Sequence, residues 1–88
     1  MKTAILYHPA SEFSRAVEEY VRDFERQKSL VIELISLETR EGAELATLYD
    51  IVKYPAVLVR RDSGELLKHW EGDPLPLMNE VAGYLVQR

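Results

Sequence analysis

Residues 44–59 read ELATLYDIVKYPAVLV, and the repeat of the apolar positions changes within them. Leu45, Leu48, Tyr49 and Val52 recur at three- and four-residue steps, the spacing of one face of a helix. Ala56 to Val59 is instead a short apolar run that reads as a strand. Tyr54-Pro55 lies between the two as a turn. The stretch therefore reads helix, turn, strand, and Thr39 stands ahead of it at the helix start.

Toward the C-terminus, Leu66 to Trp70 reads as a further strand. Arg61-Asp62-Ser63-Gly64 is a tight-turn sequence, so the two strands are expected to form an antiparallel hairpin. Gly72-Asp73-Pro74 ends it and opens a last helix, with Asp73 as cap and Pro74 or Pro76 in the first turn. Val81, Ala82 and Leu85 continue that helix's apolar face, with Leu77 or Met78 one turn earlier.

Toward the N-terminus, Leu30 to Ile35 is rich in β-branched residues and reads as a central strand. Before it, Phe13, Ala16, Val17, Tyr20, Val21 and Phe24 share one helical face, and a helix from about Ser11 to Gln27 is expected. Thr3 to Tyr7 forms a first strand ending at His8-Pro9. A helix joins this strand to the next, which favours a parallel pair. The order is β-α-β-α-β-β-α, an α/β domain with a four-stranded mixed sheet and three helices.

The 88 residues suffice for one core, so residues 1–88 are read as a single domain. Apolar residues make up 47% and charged residues 30%, which argues against disorder. The net charge of -4 is spread along the chain, and no basic block points to nucleic acid or an anionic lipid surface. The run from Leu30 to Leu37, interrupted by Glu33 and Ser36, falls short of the roughly 20 residues of a membrane span. MKTAILYHP lacks the apolar length of a secretory signal, so the cytoplasm is the expected compartment. There is no cysteine, hence no disulfide, thiolate metal site or thiol redox chemistry within the chain.

The order of elements resembles the thioredoxin and glutaredoxin families. The resemblance is carried by Glu44 to Val59, by the Asp62-Ser63-Gly64-Glu65 hairpin and by the Trp70-Glu71-Gly72 turn. It spans essentially the whole chain, whose length is closer to glutaredoxin. It implies a thioredoxin-like fold in which Pro55 follows a cis peptide and faces the loop after the first strand.

In these families that loop carries Cys-x-x-Cys. Its place here is held by Ser11-Glu12-Phe13-Ser14, followed by Arg15. A helix N-terminus stabilises an anion and can bring a thiol from about 8.5 down to thiolate at neutral pH. A serine hydroxyl is far more basic and cannot form the mixed disulfide of thiol exchange. The chain is therefore expected to be redox-inactive and not an enzyme of this type, dithiol or monothiol, with no cofactor.

Ser11 has a plain structural role open to it, as a cap accepting the N–H of residue 13 or 14. A serine nucleophile would need a base and a group to orient it, and no acid lies between residues 1 and 11 to orient His8. His8 and His69 lie too far apart in sequence to suggest a metal. Lys53 and Arg15 could attract an anionic ligand, or simply be solvated. By resemblance, main-chain groups of Tyr54 beside Pro55 pair with an extended peptide or with glutathione, which needs no cysteine. Gly72-Asp73 resembles the glycine turn and acidic cap near bound glutathione, or is a hairpin exit and helix cap.

The expected function is a binding module for a peptide or protein partner across Ser11, Ser14, Tyr54, Pro55, Gly72 and Asp73. The alternatives are a structural or oligomeric scaffold with no ligand, and glutathione binding without thiol chemistry. Nothing in the sequence fixes an oligomeric state.

Overall fold

The computed structural model describes residues 1–85, ordered β1 (Lys2–Tyr7), α1 (Ser14–Lys28), β2 (Ile32–Ser36), α2 (Arg40–Leu48), β3 (Ala56–Arg60), β4 (Leu66–Glu71) and α3 (Met78–Leu85). One sheet has the strand order β2-β1-β3-β4. β1 pairs parallel with β2, and β3 pairs antiparallel with both β1 and β4. The β-α-β crossover and the hairpin thus stand where the sequence puts them.

The two inner strands are buried on both faces. Ala4, Ile5 and Leu6 of β1 and Ala56 to Val59 of β3 are fully excluded from solvent. Ile5, Val57 and Val59 face one layer, with Val17, Val21 and Phe24 of α1 and Val81 and Ala82 of α3. Ala4, Leu6, Ala56 and Leu58 face the other, against Ala46 of α2 and Ile51. Burial of these side chains is the main term favouring the fold.

Four expectations are corrected. β2 is an edge strand, pairing only with β1; its Ile32, Leu34 and Ile35 join the two core layers without a second strand neighbour. α1 starts at Ser14, not Ser11. In α2 the buried residues are Gly42 and Ala46, whereas Leu48 and Val52 are 69% and 71% exposed. α3 starts at Met78, so Asp73 does not cap it. The chain is committed to packing before that helix begins: Leu75 joins the core and the Pro76 carbonyl accepts the Tyr20 hydroxyl at 2.8 Å.

The end of α2 sets up the loop that follows. Ile51 N–H donates to the Ala46 carbonyl (2.8 Å) and Asp50 N–H to Thr47 (3.3 Å), with Asp50 at φ 56°. This is a Schellman closure. Ile51 and Ala46 share the same core layer, so the chain leaves α2 anchored and delivers residues 52–55 to the end of β3.

Candidate functional site

The parallel β1 ends at Tyr7, where the chain turns toward α1. Ser11 organises the turn. Its N–H and its hydroxyl both donate to the His8 carbonyl, at 3.0 and 2.7 Å, and its Oγ accepts the Phe13 N–H at 3.3 Å. Ser14 N–H donates to the Ser11 carbonyl at 3.3 Å. Ser11 thus closes a turn one step before the helix. α1 itself begins at Ser14, with Phe13 at its N-cap position, no side-chain cap and no acidic residue in its first turn.

The Tyr54–Pro55 peptide is cis. Tyr54 folds back on its own loop, its phenol donating to the Ile51 carbonyl at 2.9 Å. Its ring meets the His8 imidazole edge to face, with 5.3 Å between centroids. The strand ladders begin at Ala56, so the main chain of Tyr54 lies outside the sheet pairing.

The turn and the loop together enclose a depression of about 200 Å³, lined by Tyr7, His8, Ser11, Phe13, Tyr54 and Pro55. Five of these six residues carry rings, so the walls are mainly apolar. A larger space of about 380 Å³ lies at the opposite end of β1, between Thr3, Leu30, Val31 and Leu85 among others, and includes none of the expected site residues. The smaller one is the candidate site, because it lies at the carboxyl end of a parallel strand, where open α/β sheets bind ligands.

Of the six expected site residues, Ser11, Tyr54 and Pro55 line the depression, while Ser14, Gly72 and Asp73 do not. Gly72 supports it from behind, its N–H donating to the Pro55 carbonyl at 2.9 Å. Its φ of +81° is why glycine stands there. Asp73 is exposed. Arg15 pairs with Glu19 at 3.2 Å on the outside of α1.

Glu71 is the residue that sequence reasoning missed. Its Oε1 accepts the Val52 N–H at 2.9 Å, tying the end of β4 to the loop that carries Tyr54. The Val52 N–H is the largest influence holding the Glu71 carboxyl below its ordinary value; the Lys53 N–H and the charges of His69 and Lys53 act in the same sense, against partial desolvation. Only its place inside the Trp70-Glu71-Gly72 turn could have drawn attention to it.

The Ser11 proton points to the His8 carbonyl, not to its imidazole, which packs against Tyr54. Among the described residues no cluster of three or more His, Asp or Glu side chains could hold a metal ion. No helix among them is long and apolar enough to cross a membrane.

A scan against protein-family models finds none that matches, and no curated protein matches the chain. Solved structures do. Thioredoxin 1 from Thermosipho africanus TCF52B superposes with a TM-score of 0.65 at 14% identity, over 97% of this chain and 90% of that one. A putative disulphide-isomerase from Bacteroides thetaiotaomicron superposes with a TM-score of 0.62 at 22% identity, over 98% of this chain and 77% of that one. The fold is thioredoxin-like, with a four-stranded mixed sheet and three helices.

Proposed function

We propose that this domain binds an extended segment of a peptide or protein partner in the depression between Ser11 and Tyr54–Pro55, without thiol exchange. The observation that carries the reading is the meeting of those two loops around one space of about 200 Å³ with ring-bearing walls. The reading is supported by Tyr54 lying outside the strand ladders, so that its main-chain groups would pair with an added strand while the rings accept an apolar side chain. Serine at both Ser11 and Ser14 leaves no sulfur for exchange.

The test is a chemical-shift titration of the labelled protein with a panel of capped extended peptides and, separately, with glutathione. Shifts confined to residues 7–13 and 53–56 are expected with peptides. Shifts scattered over other surfaces would remove the reading, and a response to glutathione alone would replace the peptide by that ligand. An insulin-reduction assay is expected to stay at the buffer rate.

A second reading has its own support. The Ser11 hydroxyl and the Tyr54 phenol both bond to main-chain carbonyls of their own loops, so neither is held ready for a ligand. A scaffold that binds nothing in this space would look the same at those two atoms. Silence across the whole titration panel favours it.

A further inference from the structure

We propose that Glu71 is a positioning residue, whose carboxylate fixes the Tyr54–Pro55 wall of the depression by holding the Val52 N–H. The inference deepens the binding reading and rests on it for any consequence to a ligand. The positioning itself is a property of the free protein.

The geometry is a two-point attachment. Where β4 ends, Glu71 takes the Val52 N–H through its side chain, and the next residue, Gly72, gives its own N–H to the Pro55 carbonyl. Residues 52 and 55 are thereby fixed at both ends, with Tyr54 carried between them. From Tyr54 the constraint passes to His8 through the edge-to-face ring contact, and so to the opposite wall. Ile51 is anchored in the core and β3 begins at Ala56, which leaves residues 52–55 as the segment these two bonds must place.

The two attachments differ in kind. The Gly72 bond is main chain to main chain and survives any side-chain change. The Glu71 bond depends on one carboxylate, about a quarter exposed at 24%, with His69 Nε2 3.7 Å from its other oxygen. The charged groups facing it are His69 on its own strand and Lys53 on the loop it holds. A charge-assisted bond from a backbone N–H is stronger than a neutral one, so ionised Glu71 holds Val52 best. The sign follows from its lowered value: the hold is complete above the ordinary glutamate range and fades as pH falls through the folded value.

The experiment uses the full chain. In a pH titration the side-chain carboxyl carbon of Glu71 and the amide proton of Val52 are followed together. One shared midpoint, below the ordinary glutamate value, is expected; separate midpoints would overturn the proposal. Glu71→Ala is expected to raise amide exchange at Val52 by about three- to tenfold relative to Val57 and Leu58, and to move the His8 ring protons toward free histidine. Glu71→Gln keeps an acceptor oxygen, so it should restore most of the His8 ring shift while abolishing the titration at Val52. Unchanged His8 shifts in Glu71→Ala, or exchange rising equally at Val52, Val57 and Leu58, would show Glu71 to act on global stability alone and would refute the assignment. Neither result touches the peptide titration, which reports on the binding reading by itself.

Discussion

The two helices that follow β1 and β2 are secured at different places. α1 is held along its body: Val17, Val21 and Phe24 are buried, and Tyr20 is tied to Pro76. Its start has no side-chain cap. α2 is the reverse. Thr39 Oγ1 accepts the Gly42 N–H at 3.1 Å, Glu41 sits in the first turn, and a Schellman closure ends the helix. Between those ends it buries only Gly42 and Ala46. A helix anchored by its body can leave its first turn open to whatever lies in front of it, here the ring-lined depression. A helix anchored by its ends cannot, and the outer surface of α2 gathers none of the site residues.

The largest expected effect is on the body of α1. Phe24→Ala removes the bulkiest fully buried side chain and should cost about 3–5 kcal/mol, measured by urea denaturation. A loss below about 1 kcal/mol would mean that α1 is not held by its length.

The next test separates two glycines by sign. Alanine is favoured over glycine in a helix by about 1 kcal/mol, so Gly83→Ala, with open space around it, should stabilise the domain. Gly42→Ala should destabilise it by about 1–3 kcal/mol despite the same gain. Its Cβ would lie 2.1 Å from the Ser36 carbonyl oxygen, and a backbone atom cannot move aside as a rotamer can. Stabilisation by both substitutions would dissolve the close contact between the α2 start and the end of β2.

These contrasts also show what the sequence could and could not disclose. The residue pattern found all seven elements, because a repeat of three to four residues such as Val17, Tyr20, Val21 and Phe24 marks a helix and short apolar runs bounded by turn residues mark the strands. It misplaced the start of α1, because a serine hydroxyl receiving the N–H two residues on looks identical in sequence whether it caps a helix or closes a turn before it. It made β2 central, because β-branched composition reports burial of the faces and not the number of strand neighbours. Leu48 and Val52 keep helical spacing yet lie outside the core, since the helix ends at Leu48 and turns through Asp50. Ser11 and Pro55 came together through the resemblance; no spacing rule joins residues that far apart. Glu71 was invisible for a related reason, since its partner at Val52 is 19 residues away and a glutamate at a strand end has no special signature.

Smaller effects follow at the cap and along the body. Thr39→Ala should cost about 1 kcal/mol, read from the denaturation midpoint. Tyr20→Phe removes the bond to the Pro76 carbonyl and should cost between ~0.5 and 1 kcal/mol at neutral pH, since the side chain is only half-buried. The Tyr20 hydroxyl is pushed up to about 12 by burial and by Glu80. The unfolded phenol ionises near 10, so its contribution is complete below that pH and is lost as pH rises toward 12. The phenylalanine variant should therefore lose less stability between pH 10 and 12 than the parent does.

Ser11→Ala carries the smallest expected change and bears most directly on the contrast between the helices. The substitution removes the Oγ that accepts from Phe13 and donates to His8. The His8 carbonyl keeps its bond from the Ser11 N–H, and the turn keeps its bond from Ser14 N–H. The lost side-chain bonds lie at a partly exposed position, where water can take their place. The expected cost is therefore below about 0.5 kcal/mol, less than that of Thr39→Ala. A cost as large as that of Thr39→Ala would mean that both helices depend on a hydroxyl at their start. The open first turn of α1 would then be part of the structural frame, and the depression before it would lose its claim to be kept for a ligand.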